Sequence, residues 1–225
     1  MKHYLLAGIA MLGLLGGCSS PPQAKLQASI GTHNATGVGR SYLLVLRPQQ
    51  QPNSITVNVS GPGGYSESIT LQSASSRTPS GVWWQVGWNP SPSLSSGTYT
   101  FSALIDGQTE QVSVNVDASS TLAKPTVSIG NNPTTQSVTA SWNLVPGAGA
   151  FLVRLVNRTT GSVVASTRVT SLSTTFSSLS LNTSDQYAVE VYAASSNIAN
   201  DPPLVAGQFN MSLGESANFT VNPVP

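Results

Sequence analysis

Short runs of Val, Ile, Thr and aromatic residues recur along the chain, broken by Gly, Pro, Asn and Ser at intervals of roughly 8–12 residues, and no amphipathic helix pattern of any length interrupts them. Ile55, Val57 and Val59 alternate with Thr56, Asn58 and Ser60, which puts apolar side chains on one face of a strand and polar ones on the other. The same period recurs at Tyr99, Phe101, Ala103 and Ile105 and again at Val112, Val114 and Val116. Asp106-Gly107 lies between these two runs and is a favoured type I′ hairpin turn. Ser41–Arg47, Tyr65–Gln72 and Val82–Trp88 are further strands, and Gly61-Pro62-Gly63-Gly64 turns the chain. Half-apolar strands of this kind bury their faces by packing sheet on sheet, so the fold class is all-β, built as tandem β-sandwiches.

The first sandwich is expected over residues 27–117 and the second over 125–223, with a small polar linker at 118–124. Ser96-Gly97-Thr98-Tyr99-Thr100-Phe101 resembles the late-strand pattern of bacterial immunoglobulin-like domains, which implies that family's fold for the first unit. In the second unit Val138, Ala140 and Trp142 alternate, Phe151, Val153 and Leu155 follow, and Leu181 precedes Tyr187-Ala188-Val189-Glu190-Val191-Tyr192-Ala193. This run resembles the fibronectin type III family position by position. The resemblance implies that Trp142 lies in the core, that Leu181 plugs the bottom of the sandwich, and that the Tyr187 hydroxyl bonds nearby backbone as a tyrosine corner. One departure is the long segment Ser195–Glu215, where the family has a short loop and a last strand. It is expected to be the most distinctive surface of the unit, with Gln208–Leu213 and Ser216–Val221 as a terminal hairpin. A binding loop and a decoration without a binding role fit this segment equally.

The N-terminus carries a different signal. Lys2, an apolar run from Tyr4 to Gly17 and then Leu15-Gly16-Gly17-Cys18 resemble a bacterial lipoprotein signal of residues 1–17. The run is short for a membrane-spanning helix, which needs roughly 20 residues. The resemblance implies cleavage before Cys18, the chain's one cysteine, and acylation of its sulfur and new amino group. Two or three acyl chains hold a protein on a membrane where a single chain anchors only marginally. Residues 18–26 then form a tether. Ser19 rather than Asp after the cysteine resembles lipoproteins sorted to the outer membrane of two-membrane bacteria. The expected location is the cell envelope, outside the cytoplasm.

Charged residues are 8% of the chain, and without Lys2 the basic and acidic side chains balance. Such a protein has no basic field to gather nucleic acid, so a nucleic-acid partner is not expected. No catalytic residue, metal site or cofactor is expected either. His33 is the one imidazole beyond the signal segment, placed in a Gly-Thr-His-Asn-Ala-Thr-Gly loop or strand end and read as a partly exposed loop histidine. No alternating-Asp calcium loop and no phosphate-binding motif is present.

The candidate contact residues are aromatic. On a strand, Val82, Trp84, Val86 and Trp88 share one face and Trp83 shares the other with Gln85. If the first set is core, Trp83 and Gln85 face outward, where an indole beside a polar group stacks on a sugar or fills a partner's pocket. Alternatively, Trp83 packs under the loop that follows or against the second unit. The expected role is non-enzymatic, structural or protein-binding, with an envelope protein as partner; a glycan-binding role is the alternative.

Overall fold

The computed structural model describes residues 23–35, 37–72, 81–89 and 93–224; Cys18, the expected signal segment and the start of the expected tether lie outside them. In the first half, β1 (Leu26–Asn34), β2 (Val38–Leu46) and β5 (Trp83–Asn89) lie side by side. Facing them is a four-stranded sheet of β3 (Ser54–Ser60), β4 (Ser66–Gln72), β6 (Gly97–Ile105) and β7 (Gln108–Val116). The second half repeats the plan. β8 (Val127–Ile129), β9 (Val138–Trp142) and β12 (Ser173–Phe176) form three strands, and β10 (Ala150–Asn157), β11 (Ser162–Val169), β13 (Tyr187–Ala194) and β14 (Met211–Glu215) form four. In each half the first, second and fifth strands make one sheet and the other four make its partner. The all-β sandwich expectation is therefore met in both halves.

Local chemistry accounts for much of this. Ile55, Val57 and Val59 are buried while their neighbours are exposed. Asp106 and Gly107 both have positive φ, 51° and 77°, as a type I′ turn requires. Tyr187 accepts from the Asn182 N–H (2.8 Å) and donates to the Asn182 carbonyl (3.2 Å), so the expected tyrosine corner is present. Tyr99 does the same in the first half: it accepts from the Ser95 N–H (3.2 Å) and donates to the Ser95 carbonyl (3.0 Å), with Leu94 buried beside it.

The halves are not separate beads. β14 pairs in parallel with β1, His33 opposite Met211 and Asn34 opposite Ser212. Three strands of the first half and four of the second thereby become one seven-stranded sheet in the order β11-β10-β13-β14-β1-β2-β5. Directly opposed partners share a face, so the pairing register carries one face across the whole sheet. Ile30, Leu44 and Trp83 on that face enter the first core, and Val153, Val191 and Ala193 enter the second. Both smaller partner sheets therefore cover the same side of the large one.

The expected linker at 118–124 is fastened along this joint. The Thr32 hydroxyl donates to the Ser120 carbonyl (2.7 Å), Asn34 Nδ2 to the Leu122 carbonyl (3.0 Å) and the Ser212 hydroxyl to the Ala123 carbonyl (2.6 Å). Leu122 itself is buried in the second core. Gly214 lies so close to Pro125 that a Cβ there would overlap its carbonyl.

The expected terminal hairpin does not form. Met211–Glu215 is a strand of the shared sheet, between β13 and β1; beyond it the Ser216 N–H donates to the Val189 carbonyl (2.9 Å), and isolated bridges link Phe219 to Tyr187 and Asn222 to Thr134. β13 pairs with all of Met211–Glu215 and β1 with Met211 and Ser212, so this stretch is held by strand edges on both sides.

Candidate functional site: a cleft on the outer face of the shared sheet

The second side of the seven-stranded sheet is covered by the segment between β13 and β14. Ile198 and Phe209 from this segment are fully buried against Leu43, Ala150, Tyr192, Ala194 and Met211, which makes a third hydrophobic core. Polar side chains on β1 and β2 hold the segment down. The Ser41 hydroxyl donates to the Phe209 carbonyl (2.7 Å), the Phe209 N–H donates to the Ile30 carbonyl (3.2 Å), and the Ser29 hydroxyl donates to the Gly207 carbonyl. Asn210 Oδ1 accepts from the Thr32 N–H (3.0 Å). Gly31 admits this approach: a Cβ there would fall on the Phe209 carbonyl and within 2.5 Å of Asn210 Oδ1. The segment expected to be a distinctive surface fills the sheet face at Ile198 and at Phe209–Asn210, while Asn200, Asp201, Leu204, Ala206 and Gly207 between them are exposed.

His33 sits in this layer. It is the eighth residue of β1 and 2% exposed, not a partly exposed loop histidine, because β14 pairs alongside it and covers it. Its ring stacks near Tyr192 (centroids 6.2 Å, interplanar angle 18°) and meets Trp88 at 6.2 Å. Among the described residues neither ring nitrogen has a hydrogen-bond partner. Burial pushes the imidazole below its ordinary pKa, since the charged form would lose hydration without a compensating contact. Tyr192 packs against Trp88 at 4.5 Å and donates its hydroxyl to Glu190 (3.0 Å). Glu190 is buried and paired with Arg154 (3.5 Å) and Arg158 (3.3 Å). Burial first, and then the Glu190 carboxylate, raise the Tyr192 phenol above its ordinary value.

The two edge strands of the sheet, β5 and β11, approach each other across this face. The Arg168 guanidinium of β11 lies 4.3 Å over the Trp84 ring of β5. Arg168 Nη1 also donates to the Ile198 carbonyl (2.9 Å), and Trp84 Nε1 donates to Asp201 Oδ1 (2.8 Å). Between them opens a cleft of about 460 Å3 lined by Trp84, Val86, Trp88, Leu152, Arg168 and Ile198. Its volume falls within the roughly 300–1,000 Å3 typical of small-molecule sites.

The expected contact residues are elsewhere. Trp83 is opposite Leu46 in the pairing with β2, on the first-core face, and is 0% exposed. Its Nε1 donates to Gln51 Oε1 (3.2 Å). Gln85 is half-buried on the same face, with Nε2 donating to the Tyr42 hydroxyl (3.1 Å). The assignment of faces on β5 is thus the reverse of the reading that exposed Trp83 and Gln85: Trp83 enters the core, and Trp84, Val86 and Trp88 line the cleft. Both faces of β5 are partly covered, so the alternation carries apolar residues on each and does not say which is outer. Arg168 and Ile198 had no sequence signal as a group, because two separate segments, β11 and the one between β13 and β14, supply them. Among the described residues no group of three or more His, Cys, Asp or Glu side chains is arranged to hold a metal ion.

No protein-family model matches the chain, and no curated protein matches its sequence. The chain is similar to several solved structures. A two-domain fibronectin type III segment of chicken tenascin is 14% identical, with a TM-score of 0.31, over 86% of this chain and 97% of that one. The chicken CNTN1 FN1–FN3 domains are 14% identical, with a TM-score of 0.32, over 86% of this chain and 64% of that one. The BSP domain of a biofilm associated protein is 16% identical, with a TM-score of 0.29, over 88% of this chain and 29% of that one.

Proposed function

We propose that the chain is a non-enzymatic lipoprotein of the cell envelope, anchored through acyl chains on Cys18, that presents a stiff pair of β-sandwiches to an envelope protein. The observation that carries this reading is the seven-stranded sheet shared by both halves. Tandem domains joined by a flexible linker sample many orientations. A shared sheet, a fastened linker and a third core between the halves hold one orientation, which suits a spacer or a docking platform. The lipobox supports the anchor, and the near-neutral charge is compatible with close packing among other envelope components. Ser19 after the cysteine favours the outer membrane where the organism has one.

The test has two parts. Cys18→Ala is expected to move the protein from the membrane fraction to the soluble extracytoplasmic fraction, and retention in the membrane would refute the anchor. In-cell crosslinking of the native protein, read by mass spectrometry, is expected to capture one dominant envelope protein at near-stoichiometric yield. Capture of glycan fragments with no protein partner would overturn the protein-binding role.

A further inference from the structure

We propose that the cleft between β5 and β11 binds a carboxylate-bearing saccharide of one or two rings. This goes beyond the platform role and is independent of the lipid anchor. It places sugar recognition on residues other than Trp83 and Gln85, which the first core occupies.

Three features point to this ligand. The walls include the half-buried indoles of Trp84 and Trp88, four residues apart on one strand face with Val86 between them, and indoles offer flat surfaces on which the C–H face of a sugar ring packs. Ser166 shares the cleft face of β11 with Arg168, and its hydroxyl can donate to or accept from a sugar hydroxyl. Arg168 supplies the charge. Stacking on Trp84 and the bond to the Ile198 carbonyl fix its plane. Among the described residues no carboxylate forms an ion pair with it, in contrast to Arg40, Arg154 and Arg158, which are paired with Glu67 or Glu190. A guanidinium held in place with N–H groups left over is suited to a carboxylate, which accepts two parallel hydrogen bonds from it. The volume of about 460 Å3 accommodates a small ring system and not a folded partner.

The experiment is a titration of the full-length chain, followed by tryptophan fluorescence and calorimetry. The acidic probe is the disaccharide N-acetylglucosaminyl-N-acetylmuramic acid. The neutral probe is N,N′-diacetylchitobiose. The acidic disaccharide is expected to bind saturably and at least tenfold more tightly than the neutral one, and Arg168→Gln is expected to erase that difference. Equal affinity for the two sugars, or binding of neither, overturns the proposal. So does tighter binding of a Glu-containing pentapeptide, which would make the cleft a peptide site. If Arg168→Gln fails to fold, the wild-type chain is titrated with the methyl ester of the acidic disaccharide. Loss of the ligand's charge must then cost the same factor, and unchanged affinity of the ester overturns the role of Arg168.

Discussion

Replacing Gly31 with alanine probes whether the segment between β13 and β14 is a structural filling of the shared sheet. The added methyl has no room: it meets the Phe209 backbone carbonyl and the Asn210 side-chain oxygen, which lies 2.5 Å from the ideal Cβ position. Overpacking at such a site typically costs about 1–3 kcal/mol. Withdrawal of the segment also stretches the bonds from Ser41 to Phe209 (2.7 Å) and from Phe209 to Ile30 (3.2 Å). Each contributes about 0.5–1.5 kcal/mol net. Against this, exchanging glycine for alanine inside a strand gains about 0.5–1 kcal/mol from backbone entropy. The steric and hydrogen-bond costs overlap, so the expected net loss is about 2–4 kcal/mol, or roughly 5–15 °C in melting temperature for a chain of this size. The assay is urea and thermal unfolding, followed by tryptophan fluorescence. Gly37→Ala is the control, because a Cβ at Gly37 meets nothing within 4 Å. A Gly31→Ala midpoint within about 0.5 kcal/mol of wild type, the range ordinary for surface changes, would refute the reasoning.

Trp83→Ala is expected to cost about 3–5 kcal/mol of stability, since its fully buried ring leaves a cavity in the first core. Chemical denaturation measures this; a loss below about 1 kcal/mol would return Trp83 to the surface. Tyr99→Phe and Tyr187→Phe each strand a backbone N–H and a carbonyl at a corner, and each is expected to lower stability by about 1–3 kcal/mol. Equal losses in paired urea titrations would confirm that both halves carry the same device. His33 makes stability depend on pH. Its folded pKa lies below the unfolded value of about 6.5, so the unfolded chain takes up the proton first. The His33 contribution is complete above pH 6.5 and falls as pH drops through the folded pKa. Urea midpoints at pH 7.5 and 5.0 are expected to differ for wild type and to converge for His33→Phe; a wild-type midpoint flat over this range would count against the buried neutral imidazole.

The strands recognised in the sequence are those whose two faces differ. β3 and β6 alternate buried apolar with exposed or half-exposed residues, so the period of two was plain in Ile55–Val59 and Tyr99–Ile105. β1 was missed as a strand for the converse reason. Its outer face carries Ser29, Gly31 and His33, which look like loop residues until a hydrogen-bonding segment is laid over them. β11 was missed because it is an edge strand with most residues exposed or half-exposed, where packing imposes little on composition. The cleft was half legible: three tryptophans on one strand marked the region, but their sides could not be assigned.

Strand alternation, hairpin chemistry and the Leu181–Tyr187 corner were determined by the sequence alone, because each rests on residues within a few positions of one another. The joining of the halves was decided only by tertiary structure. It rests on a parallel pairing of His33 and Asn34 with Met211 and Ser212, on serine and asparagine bonds to backbone, and on a glycine that leaves room for a carbonyl. Backbone ladders between distant segments impose no side-chain period. The small polar residues that permit them are the same ones that mark ordinary turns, so only the folded chain tells the two apart.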